Sequence, residues 1–455
     1  MSASLIGNLE DTIVAVATPP GRGAIAIVRL SGPRAFEIAA RHVKPWSPEP
    51  RTAHLSVVHN DGEPLDQALV TVFPGPDSFT GDDVVEISTH GGLLVPGSVV
   101  AALTASGARQ ALGGEFTRRA VMNGKLDILQ AEAIGDLIDA RSHSMRRAAL
   151  GQLDGGLSRR LLALREEMIG LEALIVYDID FPEEDDGPIS GERINSAIQS
   201  LSATLETLLA TAPAGELIRE GALVVIAGAP NVGKSSLFNA LVGRSRAIVT
   251  EIPGTTRDAI EAVIDNGSWP LRLVDTAGLR PTEDRIERMG IEVSERYLES
   301  AQVVLACADN DQGLEETARA VAAKSSAPII KVRTKIDLVT NRDYYRAAPG
   351  TVSVSAETAA GLPQLLSAID RTLEQNHGVL TPDQPLLTTA RHRHAIQSAL
   401  SELIQFDHTW REDKLPATVA SVHLRAAVGA LEELIGAVDV EDVFDRVFSS
   451  FCVGK

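Results

Sequence analysis

Cysteine is nearly absent from this chain of 455 residues: Cys307 and Cys452 lie far apart and neither has a Cys-x-x-Cys partner. That excludes a disulfide framework and a cysteine zinc site, and it points to a reducing compartment. Long apolar runs are missing too, and none reaches the roughly 18 residues that a bilayer-spanning helix needs. The stretch from Met1 to Glu10 lacks the basic-then-apolar layout of a secretion signal. A cytoplasmic location with no membrane partner is therefore expected.

Positive charge is also in short supply. Lys and Arg number 42 against 61 Asp and Glu, a formal net charge of −19. Such a chain is ill suited to coating nucleic acid non-specifically, although a local basic site for one RNA is compatible with it. What the chain does have is ordinary core material. Hydrophobic residues make up 44 % and charged residues 23 %, the balance of a soluble globular protein. The length suits about three domains.

The acidity is uneven. Residues 1–125 carry 10 basic and 12 acidic side chains, residues 126–220 carry 8 and 18, residues 221–376 carry 17 and 20, and residues 377–455 carry 7 and 11. The second block includes Glu183-Glu184-Asp185-Asp186, which reads as a solvated loop. Residues 1–120 mix β-rich runs at 25–30, 68–73 and 84–87 with breakers at 18–21 and 74–76. Helical spacing takes over at Leu161, Leu164, Met168, Leu171 and Ile175. It returns at Ile396, Leu400, Leu403 and Ile404, then at Leu424, Ala427, Leu431 and Leu434. Between these stretches, strand-like runs at 223–227, 271–274, 303–306 and 329–332 alternate with helical patterns, which implies a mostly parallel, helix-covered sheet. The economical topology inserts this α/β module into a helical domain built from both flanking segments. Cys307 falls in one of the apolar strands and reads as core.

Directly after the strand at 223–227 comes Gly228-Ala229-Pro230-Asn231-Val232-Gly233-Lys234-Ser235-Ser236, then the helix-compatible Leu237-Phe238-Asn239-Ala240-Leu241. The glycines of this Gly-x-x-x-x-Gly-Lys-Ser loop let successive N–H groups turn inward around phosphate oxygens. Lys234 is placed for the β- and γ-phosphates and Ser235 for Mg²⁺, with positive potential from the helix N-terminus. Asp275-Thr276-Ala277-Gly278 follows the strand at 271–274. It offers a carboxylate for a Mg²⁺-bound water and a Gly278 N–H for the γ-phosphate. Gly254-Thr255-Thr256-Arg257-Asp258 supplies a hydroxyl to complete the Mg²⁺ shell, in a loop that orders with the γ-phosphate.

Base choice follows from Thr334-Lys335-Ile336-Asp337, after the strand at 329–332, and from Ser355-Ala356-Glu357. An aspartate accepts from the N1–H and 2-amino group of guanine, a donor pair that adenine lacks, so the nucleotide is read as GTP. Asparagine is usual where Thr334 stands. Guanine selectivity is expected to survive through Asp337, with weaker nucleotide retention, and Lys335 is expected to stack its stem along the base. Leu279 occupies the place where small switch GTPases commonly carry a water-orienting glutamine. It neither donates nor accepts a hydrogen bond, so hydrolysis must be organised otherwise. Asn231 offers a neutral oxygen suited to K⁺, whose charge would act where an arginine finger otherwise does, a role worth ~10³–10⁵-fold in rate. The plainer alternative for Asn231 is an ordinary loop residue.

Three further segments accompany these motifs: Asp11-Thr-Ile-Val-Ala-Val-Ala-Thr-Pro-Pro-Gly-Arg-Gly23, Pro74-Gly-Pro-Asp-Ser-Phe-Thr-Gly-Asp-Asp83, and Lys125-Leu-Asp-Ile-Leu-Gln-Ala-Glu-Ala133. The chain closes with Phe451-Cys452-Val453-Gly454-Lys455. With them the sequence resembles the MnmE (TrmE) family of tRNA-modifying GTPases over essentially its whole length. The resemblance implies an α/β and α architecture. A Ras-like P-loop GTPase domain (219–378) is inserted into a discontinuous helical domain (123–218 and 379–455), preceded by an α+β folate-binding and dimerisation domain (1–122). Homodimerisation through the N-terminal domains is implied, with G domains meeting during the GTP cycle.

On the same resemblance the GTP contacts fall on Asn231, Val232, Gly233, Lys234, Ser235 and Ser236, on Thr250, Glu251, Ile252, Pro253, Gly254, Thr255 and Thr256, and on Asp275, Thr276, Ala277 and Gly278. The base contacts fall on Thr334, Lys335, Asp337, Ser355, Ala356 and Glu357. Mg²⁺ ligands fall on Ser235 and Thr256, and K⁺ ligands on Asn231, Thr250, the Ile252 carbonyl and Thr255. The water-orienting glutamate falls on Glu287, which without the resemblance reads as a solvated helix residue.

A reduced folate, formyl- or methylene-tetrahydrofolate, is implied as cofactor, its site carried by Arg29, Glu86, Lys125 and Lys455. The amino-oxo pterin edge presents two parallel donors that a carboxylate such as Glu86 accepts bidentately. The anionic glutamate tail suits Arg29 or Lys125. Cys452 lies near a lysine that can lower its pKa, and a role in the modification chemistry stands beside the alternative of an inert packed thiol. The end Cys-Val-Gly-Lys is not a prenylation signal.

The expected activity is GTP-driven installation of a (carboxymethyl)aminomethyl group at C5 of wobble uridine 34. The flavoprotein MnmG (GidA) would join in a heterotetramer, bringing FAD and NADH, since no Gly-x-Gly-x-x-Gly fingerprint occurs in the chain. The competing reading is a ribosome-assembly or signalling GTPase that only binds and releases partners. Such proteins usually carry a basic RNA-binding module, whereas residues 377–455 are net acidic and lack a Gly-x-x-Gly KH loop.

Overall fold

A computed structural model describes residues 10–46, 48–180, 191–244, 260–275, 295–339, 350–378, 384–411, 417–436, 447, 451 and 454. The chain divides into two compact units, residues 1–135 with 432–455, and residues 136–431. Among the described residues no helix is long and apolar enough to cross a membrane.

The first unit is built on a seven-stranded sheet. Its strands are β1 (Ile13–Val16), β2 (Ile25–Ser31), β3 (Val43–Lys44), β4 (His54–Asn60), β5 (Glu63–Phe73), β6 (Val84–His90) and β7 (Arg109–Gln110), in the spatial order β3-β4-β5-β6-β2-β1-β7. All pairings are antiparallel except β1 with β7. The β-rich runs expected at 25–30, 68–73 and 84–87 lie in β2, β5 and β6. Val28, Leu30, Val70, Val72, Val85 and Ile87 alternate inward with period two. They pack with Ile38 of α1 (Ala35–His42) and with Val99 and Leu103 of α2 (Val95–Ala105). Then come α3 (Glu115–Met122) and α4 (Ile128–Asp139).

The second unit combines helices with a six-stranded sheet. In α6 (Gly156–Asp180), which follows α5 (His143–Leu153), the expected stripe Leu161, Leu164, Met168, Leu171 and Ile175 is fully buried. Next are α7 (Gly191–Leu209) and α8 (Ala212–Glu220). After the sheet come α12 (Ala390–Arg411), which packs along α7, and α13 (Ala417–Ile435). Leu424, Ala427, Leu431 and Leu434 are buried as expected, but Ile404 is 51 % exposed. One residue past buried Leu403, it is turned about 100° around the helix, onto the solvent side.

The sheet comprises β8 (Ala222–Gly228), β9 (Ile260–Asn266), β10 (Trp269–Asp275), β11 (Val303–Ala308), β12 (Ile329–Arg333) and β13 (Thr351–Ser353), ordered β13-β12-β11-β8-β10-β9. Only β9 with β10 is antiparallel. The helices of this part are α9 (Lys234–Arg244), α10 (Asp311–Ala322) and α11 (Leu362–His377). Buried on both faces, β8 reads as the unbroken apolar run Leu-Val-Val-Ile-Ala. Its neighbours β10 and β11 come from opposite directions in the strand order, so the loop leaving β8 opens at the switch point where α/β sheets bind ligands.

Candidate nucleotide-binding site

The loop after β8 is drawn tightly onto the sheet. Gly228 pairs with Cys307 of β11 and has φ +156°, and a Cβ there would overlap the Cys307 carbonyl oxygen. No other residue type permits so close a backbone approach. Asn231 takes a left-handed φ of +63° at the turn of the loop. Lys234, the first residue of α9, is only 6 % exposed. Its ammonium donates to the carbonyl oxygens of Gly228 and Ala229, both at 2.8 Å, which holds the cation inside the loop.

Asp275, 1 % exposed, ends β10 beside β8. Burial pushes the Cys307 thiol up to about 12, with the Lys234 charge opposing that rise and the Asp275 charge adding to it. Cys307 is thus a protonated packing residue between two charges, as its apolar strand implied. Ser235 and Ser236 are exposed on the first turn of α9. The Ser235 hydroxyl and the Asp275 carboxylate are hard oxygen donors, and this donor set fits Mg²⁺.

A second segment is tied to the loop. Thr334 follows β12 and is 4 % exposed; its N–H donates to Ala308 O at 2.9 Å. Its hydroxyl donates to Val232 O at 2.5 Å and lies 3.2 Å from Ala308 O. Lys335, with a left-handed φ of +57°, donates from Nζ to Asn231 O at 2.6 Å. Ser355 is fully buried: its hydroxyl accepts from Thr358 N at 3.1 Å and its N–H donates to Ala360 O at 2.9 Å. Gly233, Thr334, Lys335, Asp337, Ala356 and Glu357 line a cavity of about 470 Å³ together with Val354 and the α9 residues Ser236, Leu237, Asn239 and Ala240. That volume is in the range of small-molecule sites. Ser236 is among the expected contacts, whereas Val354, Leu237, Asn239 and Ala240 carry no motif that the sequence could have flagged.

In the first unit, the loop 74–83 gathers the other expected group. Ser31 Oγ and Thr80 Oγ1 lie 2.7 Å apart, Asn123 donates to Thr80 O at 2.6 Å, and Lys125 donates to Pro76 O at 2.9 Å. Arg29 is ion-paired with Glu86 at 2.8 Å, and its guanidinium lies 5.5 Å from the Phe79 ring and 5.7 Å from that of Phe116. Arg29 and Glu86 therefore meet each other across β2 and β6, a pairing that sequence spacing does not reveal. Both remain about a quarter exposed, which leaves the carboxylate and guanidinium accessible to a polar ligand such as a folate. Gly454, at φ +103°, is backed so closely on β1 that a Cβ would overlap Val16 O. Val16 pairs with Val28, next to Arg29.

Thr250, Glu251, Ile252, Pro253, Gly254, Thr255, Thr256, Thr276, Ala277, Gly278, Leu279, Glu287, Cys452 and Lys455 lie outside the described residues.

Comparison with known proteins places these features in one family. The MnmE helical domain family matches residues 128–452, and the family described as the GTP-binding protein TrmE N-terminus matches residues 12–125. The chain is 40 % identical to the tRNA modification GTPase MnmE of Moorella thermoacetica, over 98 % of this chain and 100 % of that protein. It is 42 % identical to that of Thermus thermophilus and 38 % to that of Aquifex aeolicus, each over 98 % of this chain and 100 % of the relative.

Proposed function

The chain belongs to the MnmE family of tRNA modification GTPases, and from that premise we propose how it works. GTP places its phosphates in the loop 228–236 and its base in the cavity beside Asp337. Lys234 exchanges the carbonyls of Gly228 and Ala229 for β- and γ-phosphate oxygens. Ser235 and Thr256 would hold Mg²⁺, with the Asp275 carboxylate supporting it, and Asn231, Thr250, the Ile252 carbonyl and Thr255 would hold K⁺. When bound, these cations neutralise charge that develops on the phosphates. Glu287 orients the attacking water, the task Leu279 cannot perform. Hydrolysis is coupled to association of the G domains within a homodimer.

The N-terminal domain (1–122) binds the reduced folate through Arg29, Glu86, Lys125 and Lys455, and the folate supplies a one-carbon unit when bound. The G domain (219–378) reports its state through the helical segments 123–218 and 379–455. The flavoprotein MnmG brings FAD and NADH, and the product is a (carboxymethyl)aminomethyl group at C5 of wobble uridine 34, with Cys452 taking part. The observation that carries this reading is the direct hydrogen bonding between the phosphate loop and the base-reading segment, Thr334 to Val232 and Lys335 to Asn231. Mass spectrometry of tRNA nucleosides from a strain lacking the gene tests it. Loss of the modified uridine, restored by the wild-type gene, is the expected result. Unchanged nucleosides would instead favour a GTPase that acts only as a binding switch.

A further inference from the structure

A basic surface interrupts this acidic protein. Residues 141–165 contain six arginines and a single acidic residue, Asp154, and those six are most of the eight basic residues in the whole stretch 126–220. Arg141 precedes α5; the other five sit on α5 and the first three turns of α6. Arg147 and Arg159 line one cleft of about 640 Å³, together with Asp154, Ser144, Ser268, Gln384 and Thr388. Arg160 lines an adjoining groove of about 390 Å³ with Thr204 and Thr207 of α7, and the two hollows share Gln384 and Pro385. Buried Leu157 and Ile218 border the cleft, whereas Arg146, Arg147, Arg159 and Arg160 are all exposed.

The four arginines are free of carboxylates among the described residues. Arg159 donates to the Asp154 carbonyl oxygen at 2.5 Å and Arg160 to the Thr204 hydroxyl at 3.4 Å. The contrast is the comparably basic stretch 319–335. There Lys324 pairs with Glu295, Lys331 with Glu315, Arg333 with Asp311 and Lys335 with Asp309. In a segment where acidic residues outnumber basic ones, cations left unpaired in a hydroxyl-lined trough match a polyanion. Guanidinium groups grip phosphates bidentately, and hydroxyls serve phosphate and ribose oxygens.

We propose that the trough formed by Arg147, Arg159 and Arg160, with Arg146 beside it, docks the phosphate backbone of the tRNA substrate. This rests on the reading that the chain acts directly on tRNA. It also accounts for RNA binding by a protein of net charge −19, since the attraction is local.

The test uses full-length wild type and the Arg147→Gln/Arg159→Gln/Arg160→Gln variant, with an unmodified tRNA transcript titrated by fluorescence anisotropy across a KCl series. Each phosphate contact contributes about 0.7–0.9 to the slope of log K against log [salt]. The variant should therefore lose about two to three units of slope and bind about tenfold more weakly or worse at low salt. Its GTP hydrolysis and thermal unfolding should match wild type, because the substitutions touch only exposed side chains. Unchanged affinity and slope in the folded variant overturn the surface and leave the tRNA reading intact. Unchanged tRNA binding with loss of an acidic protein partner reassigns the trough to that partner and likewise overturns the proposal. If wild type itself binds no tRNA, with or without GTP, the proposal falls; normal nucleosides in the deletion strain would then remove the tRNA reading too.

Discussion

Thr334 stands where guanine-binding motifs usually carry asparagine, and its hydroxyl is the one link from this residue's side chain to the phosphate loop. Replacing it by the near-isosteric valine leaves packing almost unchanged and deletes the hydrogen bond to Val232 O. Ala308 O keeps the Thr334 N–H at 2.9 Å, so the loss falls on Val232. A buried acceptor left without its donor costs about 1–3 kcal/mol, and about 1.4 kcal/mol is tenfold in binding. Because Val232 lies between Asn231 and Gly233 within the loop, Thr334→Val should weaken GDP and GTP binding about 5- to 150-fold. Stopped-flow release of a fluorescent GDP analogue reads the effect directly. Thr334→Ser should restore most of it, since the hydroxyl returns, and Thr334→Asn should slow release below the wild-type rate. Wild-type release from Thr334→Val, at unchanged thermal stability, would refute the claim that this hydroxyl braces the loop.

Two other perturbations read different parts of the molecule. Burial raises the Asp370 carboxyl to about 6, against the Asn266 amide that donates to it at 2.8 Å. The folded state thus holds this proton more tightly than the unfolded chain. Its contribution to stability is full below an unfolded pKa of about 3.9 and is lost as pH rises through about 6. Asp370→Asn should therefore raise Tm more at pH 7.5 than at pH 5.5, and an equal change at both would contradict the assignment. Gly454→Ala forces a side chain against Val16 O at a left-handed φ. It should displace the chain's end and weaken reduced-folate binding by calorimetry while GTP hydrolysis stays at the wild-type rate. Undiminished folate binding would separate Lys455 from the site.

Much of the architecture is legible in the sequence because it is local. The apolar run of β8, the glycines and lysine of the following loop and the heptad-like stripe of α6 each carry their own periodicity or spacing. The helical spacing at 396–404 lies in α12 as expected, but spacing alone does not show that Ile404, an apolar residue adjacent to a buried one, faces solvent. The Arg29–Glu86 pair, the Thr334 brace and the trough at Arg147 and Arg159 were not legible, since each joins residues that only the register of a sheet or the packing of two helices brings together. The departure at Thr334 was visible, but its consequence depends on a carbonyl about a hundred residues away in the chain.

The central claim is that the loop opening at Gly228 turns over GTP with a monovalent cation supplying what Leu279 lacks. Steady-state GTP hydrolysis by the full-length protein, in KCl and in NaCl at equal ionic strength, tests it most directly. Fast turnover in K⁺ and slow turnover in Na⁺, with Asn231→Ala insensitive to the exchange, is the predicted result. Equal rates in the two salts would contradict it.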